Sequence, residues 1–411
     1  MIKIEIPNYV QKVLKGLESA GFKAFIVGGC VRDSIMGKKP ADWDVCTSAR
    51  PEQVMRVFNG VMPVIPTGIK HGTITILSDK IPVEVTTFRI DGNYSDNRRP
   101  DSVGFVTDIT EDLARRDFTI NSMAYNSDEG LVDPFGGGTD IKRGMIRCVG
   151  EPEKRFSEDA LRIIRALRFA AVCGFKIENK TETAVREMAE NLREIAMERV
   201  YAEFRKLLSA EKPAGILIRY RDVFEKILPE CFGLERFDAG LCTATDKMPE
   251  NFVLRLAAVC ASASEKINPV LHRLKADSKT IRRVCRIVEN NKTEPPATKT
   301  DVLNFLHEFG VETAADIAEF RIFTDKNENS EQWKLAFLKI RRAVDDNECY
   351  SLSQLDINGS DLMKCGIKGR RIGMTLDRLL TAVISGKCQN SKVELLEFFN
   401  KNCCFLDDDW V

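Results

Sequence analysis

Hydrophobic and polar positions follow two different patterns along this chain. Before about residue 150, short strand-like runs such as Lys23–Val27, Trp43–Cys46, Gly72–Leu77 and Ile81–Phe88 alternate with helical segments such as Pro51–Phe58. Glycine, proline and aspartate separate these runs, as is usual between strands and helices. The pattern predicts an N-terminal mixed sheet with helices.

From Phe156 onward, apolar residues recur at helical spacing, as Leu161, Ile164, Leu167 and Ala171 do. No convincing strand is expected in this half of the chain. The predicted fold class is therefore α+β, with a mixed sheet and its helices followed by all-α helical domains.

Length and linker composition suggest how the chain divides. At about 100–200 residues per domain, 411 residues correspond to two to four domains. Breaks are expected near Ala210–Pro213 and in the linker-like run NNKTEPPATKT. We expect four segments, at 1–148, 149–210, 211–290 and 291–411.

Composition excludes several classes of protein. A hydrophobic content of 44% and a charged content of 30% indicate a folded globular protein. The 61 basic and 61 acidic side chains cancel, so any nucleic-acid surface must be local. Three scattered histidines, His71, His272 and His307, are too few for a histidine-rich metal site or a metal-dependent hydrolase domain.

Cysteine usage and the absence of long apolar runs indicate a compartment. The 13 cysteines are odd in number and include no Cys-x-x-Cys pair, so we expect reduced thiols in a cytosolic protein. The N-terminal sequence lacks the pattern of a signal peptide, and no run of about 18 apolar residues occurs. We therefore expect a cytoplasmic protein with no membrane partner.

A glycine pair marks the first candidate site. Gly28 and Gly29 follow a predicted strand, and a predicted helix with Arg32 comes next. Glycines allow a sharp turn and close approach to a ligand, and a helix N-terminus presents free N–H groups to an anion. The feature predicts phosphate binding, although a simple tight turn would have the same sequence.

Three carboxylates form the second candidate site. Asp42 and Asp44 flank Trp43 in a strand-like run, so both point to one face, about 7 Å apart at Cα. Such a pair can hold Mg²⁺ together with substrate phosphates. Glu84 lies opposite Val83 and Val85 in its own strand and would join the pair if the two strands were neighbours. A solvated Asp-x-Asp and a solvent-facing Glu84 are the alternatives.

These elements and those that follow resemble a known family. GGCVRD, DWD, IPTGIKHGTITI, EVTTFR, DLARRDFTINSMAYN, DPFGG and SEDALRIIRALRFA occur in this order, over roughly residues 22–208. The sequence resembles the class II, bacterial-type tRNA nucleotidyltransferases, the CCA-adding enzymes, within the polymerase-β-like superfamily. The resemblance implies a catalytic head at 1–148, a neck with a nucleotide-template helix at 149–210, a helical body at 211–290 and a tRNA-binding tail at 291–411.

The segment SEDALRIIRALR is expected to select the base. Asp159 and Arg162 are three residues apart, so they are predicted to share a helix face. An ionised Asp only accepts hydrogen bonds and an Arg only donates them, which matches the pairing edges of cytosine and adenine and mismatches those of uracil and guanine. The resemblance implies the same protein template, and it assigns Arg165 and Arg168 to the nucleotide site; a solvated basic face is the alternative.

The resemblance also implies the activity. It predicts addition of C, C and A to the 3′ end of tRNA from CTP and ATP with Mg²⁺, releasing pyrophosphate, and with no role for DNA. Asp42, Asp44 and Glu84 would be catalytic, the two aspartates holding the metal, and Arg116 would contact the nucleotide. In the family, the polar segment 89–107 is a flexible element needed for A addition, and the segment 196–208 supports the turn beside the template helix.

One candidate RNA contact lies in the tail. Gly366 and Gly369 predict a tight turn before a helix, with Lys368, Arg370 and Arg371 beside it. Such a turn can seat a phosphate, and the family's tail binds tRNA, so these three residues are candidate RNA contacts. Solvated charges at a turn between helices are the alternative.

Other functions remain open from the sequence. A partial CC- or A-adding enzyme would carry the same core motifs, and a bacterial poly(A) polymerase would share the double arginine. A catalytically dead RNA-binding module is a further alternative, against which intact Asp42 and Asp44 argue. The sequence does not decide between a monomer and a homodimer.

Overall fold

The computed structural model describes residues 3–92, 103–326 and 328–402. The chain forms two compact units, Met1–Glu235 and Arg236–Val411. The four segments expected from the sequence remain a finer prediction.

All strands of the described residues lie in the first unit. They are β1 Ala24–Val27, β2 Asp44–Thr47, β3 Val64–Gly68, β4 Thr73–Ser78, β5 Ile81–Thr87, β6 Arg89–Asp91, β7 Val103–Phe105, β8 Ala124–Asn126, β9 Gly130–Val132, β10 Met145–Ile146 and β11 Lys176–Ile177.

Seven strands form one mixed sheet in the order β3-β4-β5-β2-β1-β8-β9. β2 and β5 pair in parallel, whereas β1 pairs with β2 and with β8 in antiparallel fashion. β6 and β7 form a separate antiparallel pair at the two ends of the polar segment 89–107. Residues 93–102 of that segment, expected to be a flexible element, lie outside the described residues.

The helices of the first unit surround this sheet and continue beyond it. They are α1 Asn8–Ser19, α2 Gly29–Ile35, α3 Pro51–Phe58, α4 Ile109–Ala114, α5 Gly137–Arg143, α6 Pro152–Glu158, α7 Leu161–Cys173, α8 Asn179–Glu187, α9 Met197–Leu208, α10 Ala214–Arg219, α11 Arg221–Glu225 and α12 Pro229–Phe232, with 3₁₀ turns at Ile69–His71, Thr119–Asn121 and Ala189–Glu194.

Alternation along the strands divides the core of the sheet into two layers. In β1, Ala24 and Ile26 pack in one cluster with α1 and α3, while Phe25 and Val27 pack in a second cluster beside Leu113 of α4. Strand side chains alternate between faces, so one buried strand feeds both layers. The face with the second cluster is the face on which the candidate carboxylates project.

The second unit is helical throughout its described residues. Its helices are α13 Ala239–Ala244, α14 Phe252–Cys260, α15 Ile267–Arg273, α16 Ser278–Glu289, α17 Lys299–Thr324, α18 Glu328–Asp345, α19 Gly359–Lys364, α20 Arg370–Ile384 and α21 Lys392–Asn402, with 3₁₀ turns at Ala261–Lys266 and Leu352–Gln354. Helix α17 is interrupted at Gly310, whose φ of 71° and ψ of 163° are not helical.

The predicted α+β class is confirmed, with one exception in detail. We expected no strand after Phe156, but Lys176–Ile177 forms β11 and pairs in parallel with β10. Two residues are too few to produce a periodic pattern in a sequence. This short pairing ties the chain that follows α7 to the chain that leaves the sheet region.

Candidate active site

One cavity of about 530 Å³ in the first unit collects most of the predicted site residues. It is lined by ten of them: Gly28, Gly29, Arg32, Asp42, Asp44, Arg116, Asp159, Arg162, Arg165 and Arg168. Six further lining residues had not been assigned to the site from the sequence: Arg115, Asp117, Asn121, Leu161, Phe169 and Arg199. Glu84 does not line this cavity.

The glycine turn forms one wall of the cavity. Gly28 has φ 77°, a value that favours glycine, and a Cβ there would lie 3.1 Å from Nη1 of Arg116. Arg32 on α2 donates from Nη1 to Oδ1 of Asn121 at 2.6 Å and from Nε to Oδ1 of Asp33 at 2.8 Å. The turn therefore brings backbone and two guanidinium groups close together, as a triphosphate site requires.

The carboxylates lie where the parallel strands meet. Asp44 in β2 is paired in register with Glu84 in β5, so the two strands are neighbours, as the Glu84 hypothesis required. Asp44 is accessible to solvent, but protein packed around its carboxyl group and the nearby charges of Asp42 and Glu84 raise its pKa to about 6, against the opposing effect of Arg116.

This crowding of like charges fits a divalent cation. Carboxylate oxygens are the ligands that Mg²⁺ prefers, and a cation would relieve the repulsion that raises the pKa of Asp44. Among the described residues, no group of three acidic, histidine or cysteine side chains is placed to hold a metal ion. Two aspartates with substrate phosphates completing the coordination fit this geometry better than three protein carboxylates.

We expect the affinity of this site for Mg²⁺ to rise as the pH increases through about 6. The raised pKa keeps Asp44 protonated and neutral below that pH, and a proton competes with the cation. Carboxyl NMR titration of the metal-free protein, combined with Mg²⁺ titrations at pH 5 and pH 7.5, measures both effects. In Asp42→Asn, the pKa of Asp44 should fall, since one repelling charge is gone. A pKa of Asp44 near its ordinary value would contradict this expectation.

The two residues predicted to select the base differ from the prediction in their local structure. Asp159 does not share a helix face with Arg162, because it lies in an extended conformation between α6 and α7. Its Oδ1 accepts a hydrogen bond from the backbone N–H of Leu161 at 3.1 Å. Both carboxylate oxygens also accept from Arg199, at 2.7 and 3.3 Å. The expected helix-face geometry is wrong, yet Asp159 and Arg162 line the same cavity.

Arg162 is held by other partners than Asp159. Its Nη1 bonds Oε2 of Glu158 at 2.6 Å and the backbone carbonyl of Arg155 at 3.2 Å. Its Nη2 donates to the carbonyl of Arg115 at 3.3 Å. Arg162 is 9% exposed, so the arginine is embedded in the wall rather than on a solvated face.

Arg165 and Arg168 share a buried acidic partner and an aromatic ring. Arg165 pairs with Asp117 at 2.6 Å and with Glu203 at 3.3 Å, and Arg168 also bonds Glu203. The guanidinium carbon of Arg168 lies 3.6 Å from the centroid of the Phe169 ring, and that of Arg165 lies 5.5 Å from it. The predicted stripe on α7 is therefore a cationic wall of the cavity, with its charges held in place.

Asp117 is a buried carboxylate that pairs with Arg165 of this wall. Burial alone would raise its pKa, but the charges of Arg165 and Arg162 and the hydrogen bond from Arg165 outweigh burial and lower the pKa to about 2. Its Oδ1 also accepts from Nδ2 of Asn121 at 3.3 Å, and Asn121 in turn accepts from Arg32. The carboxylate thus stays ionised over the physiological range and links the arginines of two walls.

Arg199 and Glu203 were missed because their segment was interpreted as structural support alone. Both lie on α9; Arg199 bonds Asp159, whereas Glu203 bonds Arg165 and Arg168. The sequence did offer one signal: Arg199 and Glu203 have opposite charges and are four residues apart, and the nearby segment SEDALRIIRALR is rich in charged residues. Spacing alone does not show which distant charges such a pair will meet.

The candidate RNA contacts of the tail lie in the second unit. Gly366 and Gly369 both have positive φ, 90° and 59°, and α20 begins at Arg370. The expected glycine turn before a helix is present, with Lys368, Arg370 and Arg371 exposed beside it. Their contact with RNA remains a prediction.

Two negative findings concern the described residues. None of their helices is both long enough and apolar enough to cross a membrane. Their eleven cysteines are all free thiols, most of them buried; the two others, Cys403 and Cys404, lie outside the described residues.

A mixed sheet that carries Asp44 and Glu84 on neighbouring strands, with a glycine turn and an arginine-rich helix that line one cavity with Asp44, is the arrangement of a polymerase-β-like nucleotidyltransferase. Family models match along the chain: "Poly A polymerase head domain" over residues 24–147, "Probable RNA and SrmB- binding site of polymerase A" over 174–232, and tRNA nucleotidyltransferase domain 2 over 250–399.

Individual relatives are more specific. The chain is 37% identical to a CCA-adding enzyme of Limosilactobacillus fermentum over 94% of each chain, and 35% identical to one of Leuconostoc mesenteroides, again over 94% of each. The crystal structure of the Bacillus stearothermophilus CCA-adding enzyme in complex with CTP matches with a TM-score of 0.80 at 30% identity, covering 97% of this chain and 100% of that one. This chain belongs to the family of CCA-adding enzymes and is a tRNA nucleotidyltransferase.

Proposed function

We propose that this enzyme adds C, C and A in sequence to the 3′ end of tRNA, using CTP and ATP and releasing pyrophosphate. The observation that carries the proposal is that one cavity contains a glycine turn, an aspartate pair and the pair Asp159 and Arg162. A nucleotide that spans the cavity meets groups suited to its phosphates at one end and to its base at the other.

The triphosphate is held by cationic side chains on two walls. Arg32 beside Gly28 and Gly29 serves one wall, and Arg165 and Arg168 serve the other. Guanidinium groups bind phosphate oxygens through paired N–H donors. Arg116, which pairs with Asp112 at 3.0 Å, adds a further fixed positive charge beside the turn.

Asp42 and Asp44 would hold Mg²⁺. Bound Mg²⁺ supplies activation of the attacking hydroxyl and neutralisation of the leaving pyrophosphate. The two aspartates would hold the ion at the start of β2, and they line the same cavity as the glycine turn proposed to position the phosphates. Glu84, in register with Asp44 but outside the cavity lining, increases the local negative charge that favours cation binding.

Asp159 and Arg162 select the base. An ionised Asp159 accepts from the exocyclic amino group of cytosine or adenine, and Arg162 donates to the neighbouring ring nitrogen. Uracil and guanine would set a carbonyl against the carboxylate and an N–H against the guanidinium. Polar groups that a bound base covers without pairing carry a large penalty, so both are rejected.

The RNA substrate is supported from two directions. The family models name an RNA-binding region and a tRNA nucleotidyltransferase domain, and the relatives are named as CCA-adding enzymes over nearly the whole chain. In this chain, the basic turn at Lys368, Arg370 and Arg371 is the candidate contact with the tRNA backbone.

Poly(A) addition and partial addition are the competing activities. The head-domain model carries the name of poly(A) polymerases, so that match alone does not separate the two activities. The named relatives, which match over 94% of the chain, favour CCA addition.

We expect the full-length enzyme to extend a tRNA that ends at the discriminator base by three nucleotides and then stop. CTP alone should yield two additions, and CTP with ATP three, on gels that resolve single nucleotides. The same tRNA already ending in CCA is the matched control and should not be extended. Long A tails would instead indicate a poly(A) polymerase, whereas arrest after two additions with both nucleotides present would indicate a CC-adding enzyme.

A further inference from the structure

Two oppositely charged side chains of α9 reach the cavity wall. Arg199 and Glu203 are four residues apart, so they lie on one helix face, one above the other. Arg199 bonds Asp159, whereas Glu203 bonds Arg165 and Arg168. One helix thus contacts both the residues assigned to the base and the residues assigned to the triphosphate.

Arg199 contacts both oxygens of the Asp159 carboxylate. Asp159 lies in extended chain between two helices, and the backbone N–H of Leu161 at the start of α7 contacts only its Oδ1. Two guanidinium nitrogens of Arg199 donate to the two carboxylate oxygens, at 2.7 and 3.3 Å. A planar fork that binds both oxygens fixes the plane of the carboxylate, which a single point charge cannot do. Oδ1 already accepts from Leu161 and from Arg199, so the lone pair that remains for a base amino group is on Oδ2.

Glu203 contacts two arginines of the cavity wall. It is buried, at 6% exposed, and its carboxylate bridges Arg165 and Arg168. A buried carboxylate requires such partners, and in turn it limits where their guanidinium groups can lie. Arg168 is also confined by the Phe169 ring, 3.6 Å below it.

We propose that α9 carries two positioning residues with separate tasks. Arg199 sets base selection by orienting Asp159, and Glu203 sets affinity for the triphosphate by aligning Arg165 and Arg168. The inference rests on the proposed function, since it assumes that Asp159 reads the base. Base selection and triphosphate affinity would thus each depend on one side chain of α9, a helix that the sequence indicated to be structural support alone.

The test separates selectivity from affinity. For Arg199→Gln, Arg199→Lys, Glu203→Gln and Glu203→Asp, single-nucleotide incorporation is measured with CTP, ATP and UTP in the full-length enzyme. The ratio of kcat/KM for CTP to that for UTP does not depend on the fraction of folded enzyme, and neither does KM. Partial unfolding therefore cannot imitate either expected result, and thermal unfolding of each variant is recorded alongside.

Arg199→Gln should lower the CTP/UTP ratio by about 10-fold or more, with little change in the KM for CTP. Arg199→Lys should behave similarly, because a lysine keeps the charge but loses the fork. Glu203→Gln should raise the KM for CTP and ATP alike by about 10-fold and leave the CTP/UTP ratio unchanged, and Glu203→Asp should recover part of the affinity. Glu198→Gln and Lys206→Gln, exposed charges on the same helix, are matched controls and should change neither quantity.

Four outcomes would overturn the inference in whole or in part. If Arg199→Gln raises KM equally for all nucleotides and leaves the ratio unchanged, Arg199 binds the nucleotide itself. If either variant lowers only kcat, α9 is structural support. Asp159→Asn in the same assay identifies the level of failure. If Asp159→Asn leaves the CTP/UTP ratio unchanged, both the base template and the role of Arg199 are refuted. If Asp159→Asn changes the CTP/UTP ratio but Arg199→Gln does not, only the positioning role of Arg199 is refuted.

Discussion

Asp44→Asn should reduce nucleotide incorporation by on the order of 10³-fold or more, because metal-assisted stabilisation of the reacting oxygens is worth several kcal/mol. Asparagine matches aspartate in size, so the pairing of β2 with β5 should survive. The loss should fall on kcat, while binding of tRNA persists, because the proposed tRNA contacts lie in other parts of the chain. Asp42→Ala should have the same effect. Rates of single-nucleotide addition and a gel-shift measurement of tRNA binding test both statements.

The chain offers a close control for the loss of one carboxylate. Asp79 lies in the turn between β4 and β5, is exposed and pairs with Lys12 at 2.7 Å. Asp79→Asn should leave incorporation within about twofold of the wild type, since an exposed ion pair contributes little. An Asp44→Asn enzyme that kept a tenth or more of the wild-type rate would remove Asp44 from the proposed metal site.

Asp159→Asn should lower the discrimination between CTP and UTP by about 10- to 100-fold, because an amide can donate as well as accept a hydrogen bond. The carbonyl of uracil then finds a donor where the carboxylate offered none. Incorporation of CTP itself should fall less, since the amide oxygen still accepts from the amino group. Competition between CTP and UTP for the first addition measures the ratio directly.

Complete charge reversal, Asp159→Arg with Arg162→Asp, should also relax or redirect base choice. It is a harsher change, however, because it sets a new cation against Arg199 and a new anion against Glu158. Asp222→Asn is the suitable control, since Asp222 pairs with Arg186 at 2.7 Å but does not line the cavity. If UTP and GTP were rejected as strongly by Asp159→Asn as by the wild type, the template mechanism would be wrong.

Local patterns predicted much of this fold. The strand, glycine turn and helix around Gly28, and the helical stripe of Arg162, Arg165 and Arg168, occur as the sequence indicated. Each depends on neighbours within a few residues, where periodicity and glycine conformation decide the outcome. The position of Glu84 beside Asp44 could be predicted only on the condition that their two strands are neighbours, because the pairing joins residues 40 positions apart.

The conformation of Asp159 could not be predicted in this way. The segment SEDALRIIRALR has continuous helical spacing, yet the helix is interrupted at this residue. Its side chain caps the backbone of Leu161 and bonds Arg199 on another helix. The contact between Asp159 and Arg199 joins residues that are far apart in the sequence, and it competes with the local preference for a helix. The spacing of apolar residues indicates only that local preference.

The cavity draws its two ends from different stretches of chain. Gly28 and Asp42 precede residue 148, the end of the expected catalytic head, whereas Arg162 and Arg199 follow it. The pairing of β10 with β11 joins these stretches on either side of that position. A chimaera that exchanged residues 1–148 between two relatives would therefore inherit its proposed metal-binding aspartates and glycine turn from one parent, and its base-selecting residues together with Arg165 and Arg168 from the other. Nucleotide specificity in this family should consequently be transferable by recombination without transfer of the metal-binding residues.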